Sequence, residues 1–233
     1  MNIGKAPPPR LNPKSAREYA REYAYRVLKE QILNFSLPPG TALTEQEIAD
    51  RLQLSRTPVR EAFFQLSQEG LLDILPQKGS YVSLIDLKSV ADAKFLRETL
   101  DTAVIKLACA NFAMEDLFEL QSSLTLQELC LNEKNYPKFF ELNEAFHKAI
   151  YIGCGQESIW NLMQQMQAHY NRVRFLNQRW FNLPVVLSQH RKLVQAIQEK
   201  NVAMGVETTI SHLNEVTIDI KHLLADYKSY FKS

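Results

Sequence analysis

Residues 37–82 read LPPGTALTEQEIADRLQLSRTPVREAFFQLSQEGLLDILPQKGSYV, and their local chemistry decides the first half of the fold. Leu37-Pro38-Pro39-Gly40 is a turn that no helix continues through. Thr44 stands three residues before Glu47, the capping-box spacing, and Ile48, Ala49 and Leu52 follow on one face. A short helix over 44–51 is predicted. Leu52-Gln53-Leu54-Ser55-Arg56 connects it to a third helix that starts near Thr57, with Pro58 in its first turn, where a missing N–H costs nothing. Val59, Ala62, Phe63 and Leu66 recur at i, i+3, i+4 and i+7, a buried stripe, and Gly70 falls just past the last turn. Leu71–Leu75 and Tyr81–Ile85 are short apolar runs around Pro76-Gln77-Lys78-Gly79-Ser80, a β-hairpin pattern.

Upstream, Ser15 to about Asn34 is helical, with Ala24, Val27, Leu28 and Ile32 on one face. Three helices followed by a hairpin make a winged helix-turn-helix. Its third helix buries one face on the other two and leaves the opposite face for a DNA major groove. Arg56, Thr57 and Arg60 cluster at the N-terminus of that helix. Guanidiniums there oppose the helix dipole, so phosphates or guanine O6/N7 are their natural partners. Residues 1–30 add seven basic side chains against three acidic ones. That basic arm is either an electrostatic footprint for phosphate or a solvated tail.

Downstream of Asp86 every segment is helical, over roughly 87–111, 114–133, 136–152, 156–181, 184–200 and 201–230. The predicted fold is therefore mainly α. Residues 1–14 form a flexible arm, 15–85 the winged helix-turn-helix, and 86–233 an all-α six-helix bundle with room for an internal ligand. The 233 residues, 45% hydrophobic and 23% charged, exclude disorder. No apolar run reaches the length of a membrane span, and the start carries no secretory h-region. Three scattered cysteines make neither a disulfide framework nor a zinc ribbon, so a reducing, cytoplasmic setting is expected. The seven glycines fit neither a P-loop nor a dinucleotide fingerprint.

The 37–82 stretch resembles the DNA-binding domain of the GntR family of bacterial transcription regulators, most specifically in LSRTPVREA at 54–62. RETLD at 97–101, NEAFHKAI at 143–150, SQHRKLVQAI at 188–197 and SHL at 211–213 resemble the FCD ligand-binding domain of the FadR subfamily. The count of six helices fits its shorter, VanR-like branch. The resemblance implies a homodimer that binds a palindromic double-stranded DNA operator. It places DNA contacts on Arg56, Thr57 and Arg60, with Gln46 and the wing-tip pair Lys78-Gly79 adding to them. Gln46 stands where some members carry a basic residue. Phe64, one turn beyond Arg60, either touches a thymine methyl or sugar or packs on a neighbouring element.

The resemblance also implies a metal site. His147, His190 and His212 lie where metal-binding members place ligands, and Asn143 lies one turn before His147 on the same helical face. Three imidazoles and an oxygen suit a divalent ion, zinc or nickel first. Asn143 replaces an aspartate, so a bound ion keeps its full charge and favours a small carboxylate effector. Arg97, in RETLD, either points into the effector pocket or pairs with Asp101 at i+4 in an ordinary surface bridge. His169 and Arg172 are further candidates for that pocket. Two rivals stand beside a metal- and metabolite-responsive regulator: a metal-dependent hydrolase using the three histidines, and a regulator whose bundle only dimerises.

Overall fold

A computed structural model describes residues 14–15, 17–177, 182–215 and 220–232. It divides the chain into two compact units. The first takes the chain up to Val90 together with Ala168–Phe175 and the segment from His222 onward, and the second takes Ala91–Gln167 and Leu176–Lys221. The chain therefore passes between them four times, where the sequence predicts one boundary after the wing. The N-terminal arm, apart from Lys14, lies outside the described residues.

The first unit begins with helix α1 (Ala20–Leu33), which buries the predicted Ala24, Val27, Leu28 and Ile32. Strand β1 (Ala42–Leu43) follows, then α2 (Glu45–Leu52). Thr44 caps α2, its hydroxyl accepting the Glu47 N–H at 3.2 Å. Gln53 closes that helix in the left-handed conformation at φ 56°. Helix α3 (Arg56–Gln68) buries Val59, Ala62, Phe63 and Leu66. It starts slightly earlier than predicted, so Pro58 is its third residue; the third N–H is still one of the four with no intrahelical partner.

Strands β2 (Leu72–Leu75) and β3 (Gly79–Val82) form the wing hairpin, and β1 joins to make an antiparallel sheet in the order β1-β3-β2. Leu75 faces Gly79 and Ala42 faces Tyr81. The second wing strand is predicted to run to Ile85 but ends at Val82. Ile85 instead forms a parallel bridge with Phe231, its N–H donating to the Tyr230 carbonyl at 2.7 Å. The C-terminal segment thus returns to the end of the wing.

Eight helices follow the wing among the described residues: α4 (Leu87–Ala110), α5 (Met114–Asn132), α6 (Tyr136–Gly153), α7 (Glu157–Gln164), α8 (Ala168–Asn177), α9 (Leu183–Gln198), α10 (Val202–Glu215) and α11 (Ile220–Asp226). The single helix predicted over 156–181 is broken at Gln165–Gln167 into α7 and α8, and residues 178–181 lie outside the described residues. The one predicted over 201–230 ends its first part at Glu215, and 216–219 are likewise outside. Among the described residues the second unit holds α4–α7, α9 and α10, while α8 belongs mostly to the first. Val104, Ile105, Leu120, Phe146, Ile150, Met163, Leu193 and Ile197 fill the core of the second unit.

Candidate functional site

The solvent face of α3 carries Arg56, Thr57, Arg60 and Phe64, all exposed, while the opposite stripe is sealed in the core of the first unit. Arg56 reaches back to Glu45 at 3.3 Å, an exposed pair that is readily exchanged for phosphate. Gln46 is exposed on α2, its amide donating to Asp50 at 2.8 Å. Lys78 and Gly79 are exposed at the wing tip, where the Lys78 N–H donates to the Leu75 carbonyl and Gly79 takes φ +107°. Phe64 keeps 63% of its surface exposed. Of its two expected roles, packing on a neighbouring element is not what the described chain shows.

In the second unit α6, α9 and α10 each deliver one buried histidine. His147, His190 and His212 bring their ring nitrogens within 4.8 Å of one another. His147 Nε2 and His212 Nε2 are 3.2 Å apart. Two nitrogens bonded to one tetrahedral zinc at 2.0–2.1 Å would stand about 3.3 Å apart, so this separation is already that of a coordination edge. The remaining nitrogens of two rings face amide oxygens: His190 Nδ1–H donates to Gln127 Oε1 at 2.7 Å and His212 Nδ1–H to Gln189 Oε1 at 2.9 Å. Asn143 is buried on α6, one turn before His147. The three imidazoles make a buried nitrogen donor set, which fits a divalent transition ion.

A small cavity adjoins the triad, lined by His147 and His212 together with Asp101, Tyr151 and Thr209 among others. Its free volume is about 20 Å3, room for a water or two or for a single ion. Arg97 is buried and is not among the lining residues. It donates from Nε to Asp101 at 3.2 Å, and the Tyr151 hydroxyl donates to the other Asp101 oxygen at 2.6 Å. The Arg97–Asp101 pair that the sequence left open is thus present, and it is buried rather than on the surface. Burial pushes the Asp101 carboxyl up against the lowering effect of Arg97 and Tyr151, and pushes the Tyr151 hydroxyl up as well. Sequence reasoning misses Asp101 and Tyr151 as lining residues; only the RETLD spacing points to the first.

Comparison with known proteins divides the chain once, after the wing. Residues 20–82 match the gntR family of bacterial regulatory proteins, and residues 93–215 match the FCD domain. The chain belongs to the GntR family of transcriptional regulators. It is 29% identical over 222 residues to the HTH-type transcriptional repressor RspR of Escherichia coli K12, covering 95% of this chain and 96% of that one. It is 34% identical over 212 residues to the HTH-type transcriptional regulator in the unstable DNA locus of Streptomyces ambofaciens, covering 91% and 89%. Among solved structures it resembles E. coli McbR/YncC with TM-score 0.74 at 21% identity, over 90% of this chain and 99% of that one. These domains and relatives are transcriptional regulators, so the regulator is not an enzyme and the hydrolase alternative falls.

Two of the regulator's expected effector residues sit elsewhere. His169 and Arg172 are on α8, in the first unit. Arg172 is fully buried and donates to the Ser83 carbonyl at 2.7 Å and to the Ser83 hydroxyl at 3.1 Å, at the base of the wing. His169 Nδ1 accepts from the Asp86 N–H at 3.2 Å and from Arg172 Nη2 at 2.9 Å. Burial, with Arg172 and Lys232 beside it, pushes the imidazole down to about 4, and burial pushes the Arg172 guanidinium down to about 10. A side chain at Gly70, which holds φ +70°, would place its Cβ 3.3 Å from His169 Nε2. Residues 165–167 are not helical, so α8 is a separate helix from α7. Nothing in the local sequence announces it, because the break contains neither proline nor glycine.

Proposed function

We propose that the regulator is a sequence-specific repressor, acting in the cytoplasm as a homodimer on a palindromic operator. A divalent metal and a small carboxylate metabolite in the second unit tune its operator affinity. Arg56, Thr57 and Arg60 read or position the major groove, Phe64 contacts a thymine methyl, and Gln46, Lys78 and Gly79 hold the backbone. The kinship with RspR, itself named a repressor, supports the sign of control. No described helix is long and apolar enough to cross a membrane.

The observation that carries the ligand half is the meeting of His147, His190 and His212 in a buried cluster beside a cavity. Those three residues with Asn143 would hold the ion, zinc or nickel by donor type. When bound, the ion supplies a Lewis-acidic centre for a carboxylate oxygen. The chain's own contribution is to keep that centre uncancelled, since none of the four ligands carries charge. Arg97 is engaged by Asp101, so a carboxylate that recruits it must compete with an internal one. The cavity holds little more than a water, so any larger metabolite must open the bundle. That requirement links occupancy to conformation: the operator responds by the ligand's differential affinity for the two states, and by no more.

Elemental analysis of untagged regulator, purified without chelator and then re-exposed to zinc or nickel, tests the metal. About one divalent ion per chain is expected. A chain that stays metal-free overturns the metal part and leaves a bundle that binds effectors by hydrogen bonds alone or only dimerises. Selection of bound duplexes from random DNA tests the operator, with an inverted repeat expected and a single non-repeated site as the contrary result.

A further inference from the structure

Two of the three histidines share a feature that the family resemblance does not supply. Each is backed by a glutamine whose amide is itself anchored by a serine. Gln127, on α5, is fully buried; its Nε2 donates to Ser123 Oγ at 3.2 Å and its Oε1 accepts from His190 Nδ1–H at 2.7 Å. Gln189, on α9, donates from Nε2 to Ser211 Oγ at 3.4 Å and accepts from His212 Nδ1–H at 2.9 Å. One amide thus ties α5 to α9, and the other ties α9 to α10.

We infer that Gln127 and Gln189 are positioning residues that lock His190 and His212 as Nδ1–H tautomers, so that both present Nε2 to a divalent ion. An amide oxygen has no proton to give, so the proton of each contact must sit on the imidazole Nδ1. Neutral imidazole carries one N–H, which leaves Nε2 as the unprotonated nitrogen. The 3.2 Å approach of His147 Nε2 to His212 Nε2 then needs its proton on His147. To offer Nε2 to a metal, His147 would have to carry its proton on Nδ1 instead, a tautomer shift in one ring, while the other two rings would need no change. Were either amide reversed, its NH2 would donate to Nδ1 and drive the ring proton onto the nitrogen the metal requires. The serine contacts hold the amides in the productive sense. Because both supports are amides rather than carboxylates, they orient the rings without adding charge, in keeping with Asn143.

The inference rests on the metal reading of the triad. Its test measures zinc affinity of the full-length chain by competition with a chromophoric chelator, and ring tautomers by long-range 15N–1H correlation of 15N-histidine-labelled protein. Q127M and Q189M are each expected to bind zinc ten- to a hundredfold more weakly. Q127E and Q189E, whose carboxylates still accept from Nδ1–H, should stay within about threefold of wild type or bind more tightly, as expected of supports that act through the ring. The metal-free spectrum should show Nδ1–H for His190 and His212. Zinc binding by wild type with unchanged affinity in both methionine variants overturns the inference alone, as does an Nε2–H signature for those two rings. Failure of wild type to bind zinc overturns the metal reading itself. Should a methionine variant fail to fold by circular dichroism, the glutamate variants and the wild-type spectrum still decide.

Discussion

His169 gives the first unit a pH dependence that can be worked out from its contacts. Its Nδ1 accepts two hydrogen bonds, from the Asp86 N–H and from Arg172, so protonation would turn an acceptor into a donor facing two donors and set a cation beside a buried guanidinium. The folded imidazole is accordingly pushed down to about 4, from 6.5 in the unfolded chain. A depressed folded value means that the unfolded state takes up the proton first. The stabilisation is therefore complete above pH 6.5, falls as pH drops, and is exhausted below about 4. It amounts to about 2 kcal/mol lost at pH 5 and about 3 kcal/mol at the acid limit. His169→Asn keeps an acceptor oxygen toward Asp86 and Arg172 but cannot titrate. The difference in urea stability between wild type and this variant should be flat from pH 8 to 7 and then move against wild type by about 2 kcal/mol at pH 5. Other titrating groups cancel in the subtraction. A difference independent of pH, or an NMR titration of His169 with a midpoint at 6 or above, would refute the reasoning.

Arg60→Ala should cost about 1–3 kcal/mol of specific operator binding, while Lys78→Ala should weaken all duplexes alike and lower the salt slope by about 1; anisotropy titrations at several salt concentrations separate the two. Phe64→Ala should abolish any preference for thymine over deoxyuridine at the contacted step, since the methyl group is all that distinguishes those bases; an unchanged preference would remove Phe64 from the interface. Gly153→Ala would put a methyl 2.5 Å from the Phe112 ring, an overpacking worth about 1–3 kcal/mol in thermal or urea unfolding. A neutral result there would mean that α6 can shift against Phe112 at no cost.

Legibility from sequence tracks how local each determinant is. The Thr44–Glu47 cap, the early Pro58 and the Val59–Leu66 stripe act over a few residues, and each shows in the sequence. Strand β1 is only two residues long, too short for an alternation to register, so the sequence shows only the hairpin. The break before α8 has no residue that breaks helices, and its partners Ser83 and Asp86 lie more than eighty positions upstream. That is why the contacts of His169 and Arg172 with the end of the wing have no signal in the sequence. The histidine triad was visible only through the family resemblance. Gln127 and Gln189 carry no signal, because a helical glutamine reads as a solvated one until burial shows otherwise. The spacing of Arg97 and Asp101 was plain, but whether the pair faces solvent depends on tertiary packing.

The central claim is that the buried histidines couple ligand occupancy to DNA. The most direct test is operator affinity at fixed salt for wild type and His190→Ala, each titrated with zinc and then with zinc plus a panel of small carboxylates. The account predicts that at least one zinc–carboxylate combination shifts wild-type affinity tenfold or more, about 1.4 kcal/mol of coupling, and leaves His190→Ala unmoved. Identical responses in the two proteins would contradict it.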